Sequence, residues 1–406
     1  MKRAAVLFLG MAAALSAQPP TANYDESKVP AYTLPDVLGK AHDAKSWNAR
    51  RQQILELYRN DVFGRAPGKV AVQYKVSAEG SALDGKATRK IVTMSFGDTG
   101  PKPRMLMYLP AGATKPVRLF LGLSFGPVQI VANDPGVPLT DSWVRDPKTK
   151  EYTKQPSPEA SRGRSASAWQ VDKILAAGYG LAVIDYNDFE PDFDGARKYG
   201  IRALFPDEKY TWGAIGAWAW GLSRAMDYLV TDPKVDAKHV AVFGHSRLGK
   251  TALWAGAEDT RFALVISNES GEGGAAISRR DIGERTKDLN TRFPHWFCAN
   301  FSKYNDKEDT MPFDSHFLIA LSAPRPLYVA SAEGDQWSDP RGEFLGVVNA
   351  SRVYELLGKK GIGTDKMPGL HEPIQHDVAY HIRAGKHEVT AYDWEQYLKF
   401  ADQEWR

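Results

Sequence analysis

The chain has 406 residues, of which 43% are hydrophobic and 25% are charged, a composition typical of a globular protein. These values exclude an intrinsically disordered, collagen-like or coiled-coil chain, and the length allows a core of normal size. The formal net charge is only +3 and no cluster of lysine and arginine stands out, so we do not expect a nucleic acid as a partner.

The first residues resemble a targeting segment. Lys2 and Arg3 precede an apolar run over 4–15 that is shorter than the ~20 residues needed to span a membrane. The run is followed by Ser16 and Ala17, and Ala17 is the small residue expected before a cleavage point, so we predict a secretory signal peptide over 1–17. Residues 18–32 are predicted to form a flexible tether and 33–406 a single folded domain. The expected location is therefore secreted or periplasmic in a bacterium, with no membrane association.

The predicted elements begin with a helix over 46–63. Three strand-like runs separated by turns then predict an antiparallel start to a sheet: 70–76, 89–96 and 104–109. Next come a buried strand at 117–125, a helix at 167–177, a strand at 180–186, a helix at 212–230 and a strand at 240–243.

The second half of the chain continues this alternation of strands and helices. A helix at 248–257 precedes strands at 262–268 and 326–332, a helix at 343–357, a strand within 365–382 and a helix at 391–402. Repeated strand–helix units predict an α/β fold with a mostly parallel sheet and helices on both faces. Two long segments, 133–164 and 271–315, are interpreted as insertions that cover a ligand site.

The most informative segment is Val240–Lys250. A buried strand runs into Gly244, then His245 and Ser246, and a helix follows directly. A nucleophile elbow has this arrangement, which exposes the serine hydroxyl and aims backbone N–H groups at a developing oxyanion. The usual pattern is G-x-S-x-G, whereas the second glycine here, Gly249, comes one residue late. A serine that merely caps a helix is the alternative interpretation.

A serine nucleophile needs a base, which in α/β hydrolases follows an acid in chain order. His387 lies between the last predicted strand and the last predicted helix, where the base is expected. His371 and His376 remain alternatives. Residues 390–393 also resemble a capping signal for the last helix.

Two carboxylates compete as the acid that orients this histidine. Glu269 follows the strand after the elbow helix, and Asp335 follows the next strand. Groups at the carboxyl ends of strands form the sites of such folds, and the general hydrolase arrangement favours Asp335. Cys298, the single cysteine, excludes an intrachain disulfide and a multi-cysteine zinc site, and we expect a buried small side chain there.

Three separated motifs resemble those of the glucuronoyl esterases, carbohydrate esterase family 15. They are Gly244-x-Ser246-Arg247-x-Gly249 with Lys250, Asn268-Glu269-Ser270-Gly271-x-Gly273-Gly274, and His381-x-Arg383-x-Gly385-x-His387. The elbow of this family is G-x-S-R-x-G, so the late glycine strengthens the resemblance. Family members are α/β hydrolases without a metal or other cofactor. They cleave the ester between 4-O-methyl-glucuronic acid side groups of xylan and alcohols, including those of lignin.

The resemblance implies a role for each matching residue. Ser246 would be the nucleophile, His387 the base, Glu269 the acid, and Arg247 an additional cation for the oxyanion. Lys250, Glu284 and Trp337 would hold the sugar. Lys250 could instead be a solvated helix lysine, and Trp337 a half-buried aromatic without a ligand.

One departure places the chain in the bacterial branch of the family. Fungal members have a disulfide-bonded cysteine at the position of His245, which this chain cannot form. In the bacterial branch the acid can sit at either strand end, so Asp335 stays an alternative or additional acid, with Glu269 favoured. Other carboxyl-ester hydrolases, such as an acetyl-xylan esterase, and a non-catalytic carbohydrate-binding protein are the competing interpretations.

Overall fold

The computed structural model describes residues 22–405 of the chain. The predicted signal peptide and residues 18–21 of the predicted tether lie outside this range. Within it, no helix combines the length and the apolar character needed to cross a membrane.

Ten of the described strands form one twisted sheet. In chain order the described strands are β1 Gln73–Ala82, β2 Ala87–Ser95, β3 Arg104–Pro110, β4 Val117–Ser124, β5 Asp141–Arg145, β6 Tyr152–Pro156, β7 Gly180–Asp185, β8 Val235–His245, β9 Leu264–Asn268, β10 Leu327–Ala332, β11 Ile374–Gln375 and β12 Val378–Arg383. Their order across the sheet is β1-β2-β3-β7-β4-β8-β9-β10-β12-β11. The first three strands and the β3–β7 pair are antiparallel, whereas β7, β4, β8, β9, β10 and β12 are mutually parallel.

Helices cover both faces of this sheet, and each face has its own cluster of buried apolar residues. They are α1 Ala44–Asp61, α2 Ala166–Trp169, α3 Val171–Ala176, α4 Tyr186–Phe189, α5 Ala214–Leu229, α6 Arg247–Glu258, α7 Thr286–Arg292, α8 Ser315–Ala320, α9 Pro340–Leu356 and α10 Ala391–Glu404. The buried strands β7, β9, β10 and β12 are shielded along their whole length, as continuous apolar strands in parallel sheets are. The predicted architecture of an antiparallel start followed by a parallel sheet is confirmed.

One predicted helix differs from the structure, and one hairpin was not predicted. The helix predicted over 167–177 is broken into α2 and α3 because Gln170 adopts a left-handed backbone conformation with φ of 47°. The segment 133–164 contains a hairpin, β5–β6, which forms its own two-stranded sheet. Most of its residues are exposed or half-exposed, so the hydrophobic alternation that reveals strands is missing from its sequence.

The termini of the described chain are both anchored. The capping box predicted for the last helix is present, with Thr390 and Asp393 at the start of α10. At the other end, Gly283 N donates to Asn23 O at 2.8 Å. Glu26 pairs with Arg280, so residues 22–28 lie against the domain.

Candidate active site

The turn between β8 and α6 has the backbone of a nucleophile elbow. Ser246 has φ of 58° and ψ of −128°, a conformation that costs a non-glycine residue about 1–3 kcal/mol. Its N–H donates to Asn268 O at 2.8 Å, which ties the turn to the end of β9. Arg247 begins α6 immediately afterwards, so the serine stands at a helix N-terminus above the sheet.

The two glycines of the elbow allow close approach of backbone segments. A Cβ on Gly244 would lie 1.8 Å from Leu248 O, so no other residue fits there without moving the turn. A Cβ on Gly249 would lie 3.0 Å from Ser270 Cβ and 3.1 Å from Asn268 O. The late glycine therefore lets α6 pack against the segment that follows β9, which is where Glu269 lies.

His387 contacts both of the competing carboxylates through one nitrogen. Its Nδ1 lies 2.6 Å from Asp335 Oδ2 and 3.2 Å from Glu269 Oε2. The alternative histidines are engaged elsewhere: His371 Nε2 accepts from Ala384 N at 3.3 Å, and His376 Nδ1 lies 3.0 Å from Gly361 O. The structure thus brings one histidine and two acids together.

The elbow contacts this histidine through His245, the residue that precedes Ser246. The ring of His245 lies 4.5 Å from the ring of His387, measured between centroids. Within residues 22–405, no hydrogen bond joins Ser246 Oγ to His387. Both carboxylates contact Nδ1 of His387, so Nε2 is the nitrogen that can accept the proton of a hydroxyl. Hydrogen bonds of this kind are often long without substrate and tighten when it binds.

The charges around His387 favour its protonated form. Burial lowers the pKa of His387, but the hydrogen bonds and charges of Asp335 and Glu269 overcome this and raise it to about 10. Burial raises the pKa of Glu269 to about 8, although His387 and Arg383 both act to lower it. Burial raises the pKa of Asp335, but the hydrogen bond and charge of His387, together with Ser338 and the charge of His245, lower it overall. Asp335 is therefore the acid whose ionised form its surroundings favour.

Arg247 is held in place by a buried carboxylate. Its guanidinium pairs with Asp192 and lies 4.7 Å from the centroid of the Trp296 ring. Asp192 also accepts from His295 Nε2 at 2.8 Å, from Trp296 Nε1 at 2.6 Å and from Tyr186 hydroxyl at 2.9 Å. Although burial raises the pKa of Asp192, Arg247 and the hydrogen-bond donors lower it overall.

Sequence reasoning missed Asp192, His295 and Trp296. Asp192 follows β7 and the short helix α4, at the edge of the sheet where the carboxyl ends of parallel strands collect functional groups, so a signal for it was present. His295 and Trp296 lie in the segment 271–315, which the sequence identified only as a cover for the site.

Lys250 and Glu284 meet in the interior. Lys250 Nζ donates to Ser270 O at 2.6 Å and lies 3.7 Å from Glu284 Oε2, with 4% of the lysine side chain exposed. A solvated lysine is thereby excluded. Burial lowers the pKa of Lys250, opposed by the charges of Glu284 and Glu272. Glu284 N donates to Trp337 O at 2.9 Å, so the three predicted sugar contacts lie on adjoining segments.

His245, Glu269 and His387 offer possible metal ligands within 4.8 Å of one another. Each already has another partner: His245 Nδ1 lies 2.6 Å from Asn268 Oδ1, and Glu269 Oε1 accepts from Arg383 at 2.6 Å. A cation would compete with the Arg383 guanidinium for Glu269. The donor set therefore fits a hydrogen-bonded network better than a metal centre.

Comparison with known proteins identifies the family. A family model described as glucuronyl esterase, fungi, matches residues 164–358. A solved structure of a glucuronoyl esterase from Solibacter usitatus is 62% identical, covers 94% of this chain and 100% of its own, and superimposes with a TM-score of 0.90. This chain belongs to the glucuronoyl esterase family.

Two curated relatives agree with this membership. A carbohydrate esterase of an unknown prokaryotic organism is 49% identical over 95% of this chain and 93% of its own. The 4-O-methyl-glucuronoyl methylesterase 1 of Wolfiporia cocos is 35% identical over 44% of this chain and 47% of its own. The predicted family and α/β-hydrolase fold are confirmed, and the esterase is a carboxylic ester hydrolase.

Proposed function

We propose that the esterase hydrolyses the ester between 4-O-methyl-D-glucuronic acid side groups of glucuronoxylan and alcohols, including those of lignin. The observation that carries this proposal is the convergence of the Ser246 elbow with His387 and its two carboxylates. The family membership supplies the substrate class, and the buried Lys250–Glu284 pair supplies polar groups for sugar hydroxyls.

In the first half of the reaction, Ser246 Oγ attacks the C6 carbonyl carbon of the uronate, and its proton passes to His387. Asp335 and Glu269 stabilise the imidazolium that forms, because both face Nδ1. The backbone N–H at the start of α6 and the Arg247 guanidinium stabilise the oxyanion, and one such donor is worth about 10²–10³ in kcat.

In the second half, the tetrahedral intermediate breaks its bond to the alcohol, which leaves with the proton from His387. Water then gives a proton to His387 and attacks the glucuronoyl-enzyme, and Ser246 recovers its proton as the free acid departs. Lys250, Glu284 and Trp337 hold the sugar ring during both steps.

The test is the hydrolysis of the methyl ester of 4-O-methyl-glucuronic acid by the wild type and by Ser246→Ala. We expect kcat of the variant to fall by a factor on the order of 10⁶, as for other serine hydrolases. Circular dichroism checks that the variant is folded, and turnover retained in the folded variant would contradict the mechanism.

A second substrate separates the proposal from an acetyl-xylan esterase. We expect a higher kcat/KM for the methyl glucuronate than for an acetylated xylose. A preference for the acetyl ester would assign the protein to that other class of carboxyl-ester hydrolase.

We also propose that the esterase works outside the cytoplasm. The support is the signal-like pattern of residues 1–17. Sequencing the N-terminus of protein recovered from the periplasm or medium is expected to give Gln18 as the first residue, and an uncleaved cytoplasmic protein would refute this.

A further inference from the structure

Residues 22–28 form a strap along the side of the site where Glu284 and Trp337 lie. The strap ends in a short 3-10 helix, Glu26–Lys28, which Asp25 caps by accepting from Ser27 N at 3.0 Å. Residues 22–28 of the segment predicted as a flexible tether are therefore held against the folded chain, next to Glu284 and Trp337.

Charge pairs fasten one end of the strap. Glu26 pairs with Arg280, which is almost fully buried and whose Nε lies 2.7 Å from Asp339 Oδ2. Arg341 Nη1 lies 3.5 Å from the other oxygen of Glu26. Since Asp339 caps α9, the strap is linked to the segment that carries Asp335 and Trp337.

Backbone hydrogen bonds fasten the other end. Asn23 O accepts from Gly283 N at 2.8 Å, and the next residue, Glu284, donates its N–H to Trp337 O at 2.9 Å. Gly283 has φ of 64°, and a Cβ there would lie 2.4 Å from Trp337 O. The Gly283–Glu284 segment therefore lies between the strap and Trp337 and contacts both.

Tyr24 lies within this strap, between the anchored residues Asn23 and Glu26. It is 39% exposed, among the more exposed large hydrophobic residues of the described chain. Burial and the charges of Asp288 and Asp335 raise the pKa of its hydroxyl. A tyrosine ring combines an apolar face with a hydroxyl, a surface suited to the mixed polar and apolar face of a pyranose.

We propose that Tyr24 and its strap form a subsite for the saccharide that carries the glucuronate, adjoining the Glu284–Trp337 segment. This inference rests on the proposed function, because it assigns the side of the cleft beyond the uronate contacts to the xylan chain. Tyr24 would stack on a xylose ring, and the Glu26–Arg280 pair would keep the strap in position.

The test is calorimetric binding of two unesterified ligands: 4-O-methyl-glucuronic acid alone, and the same acid attached to a short xylo-oligosaccharide. We expect the wild type to bind the oligosaccharide more tightly, and Tyr24→Ala to reduce this preference about fivefold, the loss of one aromatic contact. Tyr24→Phe keeps the ring and is the matched control, with the preference retained. Glu26→Gln weakens the anchor of the strap and is expected to reduce the preference in the same direction.

Three results would overturn the subsite: equal binding of both ligands by the wild type, an equal loss for both ligands in Tyr24→Ala, or a Phe variant as weak as the Ala variant. Because binding is measured without hydrolysis, the outcome is independent of turnover. A wild type that binds the oligosaccharide through Tyr24 but does not cleave the methyl ester would refute the proposed function and leave the subsite standing.

Discussion

The guanidinium of Arg383 lies 2.6 Å from Glu269 Oε1, and both side chains are almost completely buried. The same arginine reaches Asp393 Oδ2 at 2.8 Å through Nε. Since the other oxygen of Glu269 faces His387 Nδ1, a buried cation holds one of the two acids against the histidine. Arg383 is therefore a positioning residue for Glu269 in the proposed mechanism.

Replacing Arg383 by Gln leaves Glu269 and Asp393 without their buried cation. Breaking such a pair costs about 3–5 kcal/mol of unfolding free energy, so a clear drop in Tm is expected. Arg383→Lys keeps the charge but loses the fork that reaches both carboxylates, and an intermediate Tm is expected. Thermal unfolding of the three proteins measures this, and a Gln variant as stable as the wild type would contradict the assignment.

Asp335 and Glu269 are expected to contribute unequally to the pH dependence. A base must be unprotonated, and both carboxylates raise the pKa of His387, Asp335 the more strongly. Removing either charge lowers this pKa, so the acidic limb of kcat/KM is expected to move to lower pH. The shift should be larger in Asp335→Asn than in Glu269→Gln.

The maximum rate, kcat, reports how far each of the two acids stabilises the imidazolium. Both variants are expected to lose kcat, because each removes stabilisation of the imidazolium. Full kinetic pH profiles of the wild type and the two variants provide the measurement. An unshifted limb in both variants would show that His387 is not the titrating base.

Asp192 is expected to act through Arg247. Asp192→Asn removes the charge that holds the guanidinium, and we expect kcat to fall by about tenfold, less than the 10²-fold or so expected for Arg247→Ala. A double variant gives the decisive comparison: if the effect passes through Arg247, adding Asp192→Asn to Arg247→Ala changes kcat little. If the double variant instead loses kcat by the product of the two single losses, Asp192 has a role separate from Arg247.

The two elbow glycines provide a matched pair for stability. In Gly244→Ala the new Cβ meets Leu248 O at 1.8 Å, so we expect a loss above about 3 kcal/mol. In Gly249→Ala the nearest atoms are 3.0 Å or more away. Overpacking there is offset by the gain of about 1 kcal/mol for alanine over glycine within a helix. Denaturant unfolding distinguishes them, and equal losses would disprove the close approach at Gly244.

Much of the fold and part of the site could be predicted because their signals are local. Continuous apolar runs predicted the central strands, and the strand–glycine–serine–helix pattern predicted the elbow, whose strained Ser246 the structure contains. The position of His387 after the last long strand followed from chain order. The break at Gln170 and the exposed β5–β6 hairpin were missed because neither alters the apolar periodicity of the sequence.

By itself, the sequence determined the alternation of central strands and helices along the chain, the elbow and most of the candidate site residues. Only the tertiary structure decided that Asp335 and Glu269 share one nitrogen of His387, that Asp192 holds Arg247, and that the strap lies beside Glu284. The physical reason is distance along the chain. A turn or an apolar strand is specified by neighbouring residues, whereas a contact between side chains far apart in sequence depends on how helices and strands pack and on which buried donors meet which acceptors.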